Sequence, residues 1–373
     1  MRVIHIMNAL CASGAEVMLR LAASEWKNRG LELAIVACAD QVGDYAVALR
    51  ASGYRIYLCR RRRGTQAVQF LRDLNQIITN FDPDVVHIHP EMQCLPVVYT
   101  AYKSGDRAIV RTIHNNFPFH GKLRARKILE RRLMAWLGVC QISIGESVYE
   151  TELEVFKNHT HRIDNWVETE HFRPASRSER HLVRQQLGFS EDDHVIVSVG
   201  NGSTTKNYSS VIKALRNYKG TRVNYIQVGQ EHPEGIDRKI ALQLGLEDQV
   251  RFIGCVDDVR PFLWAADTYI MPSLYEGNSL AAAEALCTGV PCIFSRSPGL
   301  RDWASHPVEV IWAEAPDEVC LLLALQQRMK YSCSARFERN ASYVRHAMSP
   351  EHGAVEYISA YQRLCAQGYR SVV

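Results

Sequence analysis

No G-x-G-x-x-G follows the first apolar segment, which excludes a nicotinamide-dinucleotide domain, and no basic stretch is interleaved with aromatics in the way that would grip nucleic acid. No apolar run approaches 18 residues, and the run Val3 to Met7 is too brief for a signal-peptide core. The expectation is therefore a chain that neither crosses a membrane nor leaves the cytoplasm by that route. Low-complexity tracts are missing too. The eleven cysteines are odd in number, contain no C-x-x-C pair and lie in apolar stretches, so they read as reduced and mostly buried thiols of a cytosolic protein.

What is present is ordinary globular material, 47% hydrophobic and 23% charged. With 373 residues the chain exceeds the size at which one core keeps growing, so two domains are expected. Net charge is only +4 but unevenly placed: residues 1–140 carry 20 Lys/Arg against 11 Asp/Glu, which leaves the remainder net acidic. The excess concentrates in Arg60-Arg61-Arg62-Arg63 and in Lys122 to Arg132, where six basic residues accompany Glu130. Anionic lipid, a phosphorylated acceptor or plain solvation each accounts for such clusters.

Short Val- and Ile-rich segments at 2–7, 33–38, 54–58, 84–89, 108–113 and 139–144 alternate with amphipathic stretches, the rhythm of βαβ units around a parallel sheet. It weakens through Asn165 to Arg180 and restarts with strands expected at 194–199, 222–228, 250–254, 268–272, 291–295 and 308–312. The fold class read from this is α/β, two doubly wound Rossmann-like domains facing across a cleft, over 1–172 and 173–350. Apolar positions at Val355, Ile358, Tyr361 and Leu364 predict a terminal helix in 351–373 that returns to the first domain. Ligands of such sheets sit at the carboxyl ends of the strands, so chemistry is sought in the loops that follow them.

One of those loops stands out. After the strand ending near Met271 comes Pro272-Ser273-Leu274-Tyr275-Glu276-Gly277-Asn278-Ser279-Leu280, then a helix bearing Glu284 and, after it, Gly289-Val290-Pro291. Asn278 or Ser279 suits an N-cap, and the free N–H groups of Ser279 and Leu280 would suit a phosphate or a sugar hydroxyl. Glu276 alone reads as a favourable charge near a helix start, and Glu284 alone as a solvated helix face. Together they differ, because Glu284 sits among Ala281, Ala282, Ala283 and Ala285, where an unpaired carboxylate is costly. Two carboxylates so placed can accept hydrogen bonds from two sets of vicinal hydroxyls, such as those of a hexose and a ribose.

This segment resembles the E-x7-E signature of the large retaining glycosyltransferase family with the GT-B fold, the family 4 type, and the resemblance extends along the chain. It includes Ser13-Gly14-Ala15-Glu16, Pro83 to His87, Asn165 with Phe172-Arg173-Pro174, and Gly200 to Lys206. Membership implies a second domain that binds a nucleotide-diphosphate sugar, UDP- or GDP-linked. Glu276 would contact the donor sugar, Glu284 the ribose, and the backbone from Gly277 to Leu280 the donor. Ser13-Gly14 would approach the donor phosphates, Lys206 would bind the diphosphate near Gly200, and His114 would lie by the reacting sugar. Catalysis would rest on His114, Lys206 and Glu276. Asn201 stands where the family normally has Arg, and Val256 belongs to a loop expected to shape donor choice.

The resemblance further implies transfer with retention, no cofactor beyond the nucleotide sugar and no catalytic metal. Asp257-Asp258 accordingly reads as helix capping rather than a metal site. The acceptor would be a glycan, lipid-linked or small molecule, giving a role in polysaccharide biosynthesis. The helix pattern Lys122 to Leu137 sets Ile128, Leu129, Leu133, Trp136 and Leu137 apart from Arg124, Lys127 and Arg131, so contact through Lys122–Arg132 with an anionic membrane stands beside a solvated basic face. A nucleotide-sugar epimerase or phosphorylase, and a binding subunit that has lost catalysis, are the rival readings. His87 and His89 share one side of their strand and read as structural.

Overall fold

The computed structural model describes residues 1–61, 66–330 and 335–366; Arg62, Arg63, Cys333 and residues 367–373 lie outside them. The chain divides into two compact units, Met1–Trp166 with the segment from Pro350, and Val167–Ser349. Phe172, at the end of the expected first domain, packs in a core of the second unit.

In the first unit β1 (Arg2–Met7), β2 (Glu32–Ala37), β3 (Arg55–Leu58), β4 (Val85–Ile88), β5 (Ala108–Ile113), β6 (Cys140–Ser143) and β7 (His161–Arg162) form one sheet in the order β3-β2-β1-β4-β5-β6-β7. All its pairs are parallel. The helices in chain order are α1 (Gly14–Asn28), α2 (Ala46–Ala51), α3 (Ala67–Phe81), α4 (Cys94–Lys103), α5 (Gly121–Trp136) and α6 (Glu146–Glu154). Parallel strands are buried on both faces, which is why they read as unbroken apolar runs. One face, with Ile4, Ile6, Val86 and Ile88, packs under Phe70, Leu74 and Ile78 of α3 and Val97 and Val98 of α4. The alternate residues His5 and His87, register partners across β1 and β4, point the other way.

The second unit repeats the plan. Strands β8 (His194–Val199), β9 (Val223–Val228), β10 (Val250–Gly254), β11 (Thr268–Met271), β12 (Cys292–Ser295) and β13 (Ile311–Ala313) run in the order β10-β9-β8-β11-β12-β13. Around them lie α7 (Arg177–Leu187), α8 (Tyr208–Asn217), α9 (Ile236–Gln243), α10 (Arg260–Ala265), α11 (Leu280–Cys287), α12 (Glu318–Lys330) and α13 (Ala335–Ala347). Helix α14 (Pro350–Ala366) belongs to the first unit, where the Trp26 indole donates to Ala354 O at 3.1 Å. Gly353 there lies so close to the Trp166 ring that a Cβ would stand 2.0 Å from it.

Helix α5 overturns its expected orientation. Lys127 and Arg131 face inward, while Leu129 (57% exposed), Leu133 (38%) and Trp136 (70%) face out. The burial of cations is driven mainly by acids from distant segments: Arg131 pairs with Glu152 at 2.6 Å and with Glu91 at 3.5 Å, Lys127 with Glu91 at 3.0 Å and, within the helix, with Glu130 at 3.0 Å, and Arg111 with Glu91. The three cations hold the Glu91 carboxyl below the usual carboxylate range against the opposing effect of its own burial. The Lys122–Arg132 segment is therefore not a uniformly solvated basic face.

Removing one member of a buried pair leaves the other charge without compensation. Arg131→Met is expected to lower the unfolding free energy by about 3–5 kcal/mol in urea titrations, whereas Arg126→Ala, which removes an exposed cation from Glu130 while Lys127 remains paired with it, should cost about 1 kcal/mol or less.

Candidate functional site

In the second unit the chain leaves β8 toward β9 on one side, while β11 lies against β8 on the other, so the two loops at their carboxyl ends diverge and leave a crevice. The β8 loop opens on Gly200, whose φ of +143° suits glycine and whose N–H donates to Val228 O at 2.8 Å. Its carbonyl accepts from the Gln227 amide at 2.8 Å and the Tyr208 hydroxyl at 3.2 Å. Gly229 backs it so closely that a Cβ would stand 2.4 Å from Gly200 O. Asn201 turns its side chain toward the β9 loop, where Oδ1 accepts from Gln230 N–H at 3.0 Å, and Gly202 N–H donates to Gln230 O at 2.6 Å. The residue in place of the expected arginine thus ties two loops together.

The β8 and β11 loops are stitched to each other. Leu274 N–H donates to Thr205 O at 2.8 Å, and Asn207, at φ +57°, donates from Nδ2 to Pro272 O at 3.1 Å and Pro316 O at 2.6 Å. This stitching brings Lys206 and Glu276 together: Nζ lies 2.8 Å from Oε1, with the side chains 23% and 12% exposed. Glu276 is held from behind as well. Its N–H donates to Pro298 O at 3.0 Å, and Gly299, at φ +82°, leaves room for its carbonyl where a Cβ would stand 2.2 Å away.

Past Gly277 and Asn278 the chain enters α11 with Ser279 as N-cap, accepting from Ala282 N–H at 3.4 Å. Leu280 is the first helical residue, and the buried Ala282, Ala283 and Ala285 let the helix seat closely on the core. Glu284 shares that tight setting. Burial, and secondarily the negative charge of Glu168, push its carboxyl up to about 7. Val256 lies elsewhere, 36% exposed in the loop after the edge strand β10. Asp258, the residue before the α10 N-cap Val259, closes on Arg260, accepting from its N–H at 2.9 Å and its guanidinium at 2.6 Å.

A cation paired with a carboxylate at the switch point of a doubly wound domain, with a second carboxylate on the helix that follows, suits a phosphorylated, hydroxyl-rich ligand. Residues 179–330 match the model described as Glycosyl transferases group 1, and residues 12–171 match Glycosyltransferase Family 4. The chain belongs to the GT-B glycosyltransferases of the family 4 type. It is 24% identical over 334 residues to EpsF, a glycosyltransferase candidate of Bacillus subtilis (strain 168), covering 84% of this chain and 86% of that one. It is 26% identical to the Escherichia coli UDP-Gal:alpha-D-GlcNAc-diphosphoundecaprenol alpha-1,3-galactosyltransferase, over 65% of each chain. Among solved structures, Anabaena HepE in complex with UDP superposes with a TM-score of 0.83 at 18% identity, over 96% of this chain and all of that one.

The remaining candidate residues of this glycosyltransferase lie in its first unit. Ser13 stands at the N-cap position of α1 without a side-chain cap, its hydroxyl donating instead to the Glu16 carboxylate, and Gly14 opens the helix without a positive φ. His114 follows β5, and its Nε2 lies 3.0 Å from His89 Nδ1. Burial, and then the nearby Arg111 cation, bring its imidazole down to about 4, so it is neutral near pH 7.

Sequence reasoning missed the supports: Gly299, Asn207, Gln227 and Tyr208. Only Ser297-Pro298-Gly299 after β12 carried a signal, as a turn at a strand's carboxyl end. Gly299→Ala is expected to displace Glu276 and remove most donor turnover. Gly235→Ala is the control. Its φ is +60° with nothing within 4 Å, so it should cost about 1–2 kcal/mol of stability and leave turnover intact. Equal turnover in the two variants would separate Gly299 from the site.

Proposed function

We propose that this glycosyltransferase moves a sugar from a nucleotide-diphosphate sugar to a hydroxyl of a glycan, lipid-linked or small-molecule acceptor, with retention and without a catalytic metal. The observation that carries the reading is the Lys206–Glu276 pair at the β8/β11 switch point. In this reading a donor separates the pair's duties: the Lys206 ammonium neutralises the diphosphate while Glu276 accepts from sugar hydroxyls. As the bond between the sugar C1 and the phosphate oxygen breaks, the acceptor oxygen bonds to C1 and its proton passes to the departing phosphate. A uridine donor is the first choice, because HepE has been solved with UDP, with UDP and glucose, and with UDP-glucose. His114 is assigned to the reacting sugar, and Ser13-Gly14 to the phosphates.

Glu284 makes this reading sensitive to pH. A carboxylate that accepts from both ribose hydroxyls acts best when ionised, yet in the free protein it ionises only near 7. The phosphates of a nucleotide-diphosphate sugar are already ionised there, so Glu284 is the group that changes. Affinity for UDP-sugars should rise as pH increases through about 7 and then level, being about tenfold weaker one unit below. Glu284→Gln should flatten the profile. Stability moves oppositely: the advantage of burying a neutral Glu284 is complete below its ordinary value of 4.5 and is lost as pH rises through about 7.

A thermal-shift screen of nucleotide sugars, read alongside donor hydrolysis, tests the assignment, and no stabilisation by any of them would sink it. The rival binding-subunit reading draws on Asn201, whose side chain is spent on Gln230 and supplies no second cation. Tight donor binding without turnover toward any acceptor extract would favour that rival.

For the acceptor side we propose peripheral contact with an anionic membrane through the outward face of α5. Leu129, Leu133 and Trp136 supply an exposed apolar stripe, and Lys122, Arg126 and Arg132 flank it. Trp136→Glu combined with Leu133→Glu is expected to abolish cosedimentation with phosphatidylglycerol vesicles and to spare turnover of a soluble acceptor. Unchanged cosedimentation would exclude this face.

A further inference from the structure

Four histidines of the first unit form a network, of which the proposed reaction uses only His114. His5 on β1 places Nδ1 3.1 Å from His89 Nε2, and His89 Nδ1 in turn lies 3.0 Å from His114 Nε2. His5 is fully buried and stacked on Trp26 with ring centroids 5.5 Å apart. His87 stacks on His89 at 4.2 Å, but its own nitrogens are committed, Nδ1 to the Tyr361 hydroxyl and Nε2 to Thr112 Oγ1, each at 2.7 Å. Three of these rings, His5, His87 and His89, are close enough to suggest a metal. Binding one would strip His87 and His89 of partners they already have, so the geometry favours hydrogen-bonded imidazoles.

Burial lowers the proton affinity of all four rings, which leaves each neutral near pH 7 with one N–H. Two ring-to-ring contacts along His5, His89 and His114 then permit only two arrangements, because the single N–H of His89 serves one contact and a neighbour must supply the other. In one, protons point inward and His5 Nε2 carries a buried N–H; in the other they point outward and His5 Nε2 is a bare lone pair. That nitrogen is buried and has no hydrogen-bond partner among the described residues. An orphaned buried N–H is the rarer outcome in proteins, which selects the outward arrangement.

We infer that His5 and His89 are positioning residues that lock His114 in the Nδ1–H tautomer, so that it meets the sugar as a neutral hydrogen-bond donor and not as a base. This rests on the assignment of His114 to the reacting sugar. His114 Nε2 is occupied by His89, which leaves Nδ1 as the ring nitrogen that can reach an oxygen of the donor or acceptor. The metal-site principle that a partner on one imidazole nitrogen fixes what the other does applies equally to a sugar ligand.

Nitrogen NMR of the full chain labelled with 15N-histidine reads the tautomers directly. Neutral His114 protonated on Nδ1, with His5 Nε2 unprotonated, is the expected result; His114 protonated on Nε2, or stoichiometric zinc in the purified protein, overturns the inference. In kinetics, His5→Phe and His89→Leu should each lower kcat at least about tenfold with donor KM nearly unchanged, and should have no further effect in a His114→Ala background. An equal loss in that background would make both residues merely structural. Full activity of His114→Ala would instead remove the assignment of His114 to the sugar, while the tautomer measurement would still decide the relay.

Discussion

The constraint on which the second unit's chemistry depends is the divergence of the loops after β8 and β11. A parallel strand order that reverses direction there leaves a crevice with no strand to fill it, so whatever lines the crevice must be held by loops. Loops hold a geometry only if their backbone groups are paired. Here Gly200, Thr205, Asn207 and Pro298 supply that pairing, and it fixes Lys206 against Glu276. The ion pair itself is half-shielded, and under the proposed function it keeps two opposite charges ready where an anion and a set of hydroxyls would arrive.

Much of this architecture was legible. Strands such as β1, β5 and β8 begin and end where the apolar runs do, because a strand buried on both faces has no alternation to blur its limits. The α11 start was also legible: Ser279 is a good cap, and the alanines around Glu284 signal close packing whatever the fold. Helix α5 was not. Periodicity separated its apolar stripe from its basic one but left the basic side solvated or on a membrane, whereas Lys127 and Arg131 are buried by Glu91 and Glu152, acids from other elements that no local pattern reveals. Asn201 and Gly299 were opaque for a related reason. The first serves Gln230 and the second makes room for Glu276, both partners that the fold, not the neighbouring sequence, provides.

The first unit handles polar burial in two ways on the two faces of one sheet. Beneath α5, Arg111 and its neighbours keep full charge because acids are within reach. On the opposite face, packed by α1 and α14, no acid among the described residues is bonded to these histidines, so burial is tolerated by neutrality and each ring takes a neutral partner instead. The faces are linked through β5, where Arg111 and Thr112 are consecutive and point oppositely. Arg111, already neutralised in part by Glu91, still helps suppress the charge of His114. A histidine at a strand end is ordinarily poised to titrate near neutrality; here its burial and, after that, the Arg111 cation oppose that, and the consequence is a side chain whose contribution near pH 7 is set by hydrogen-bond direction and not by charge.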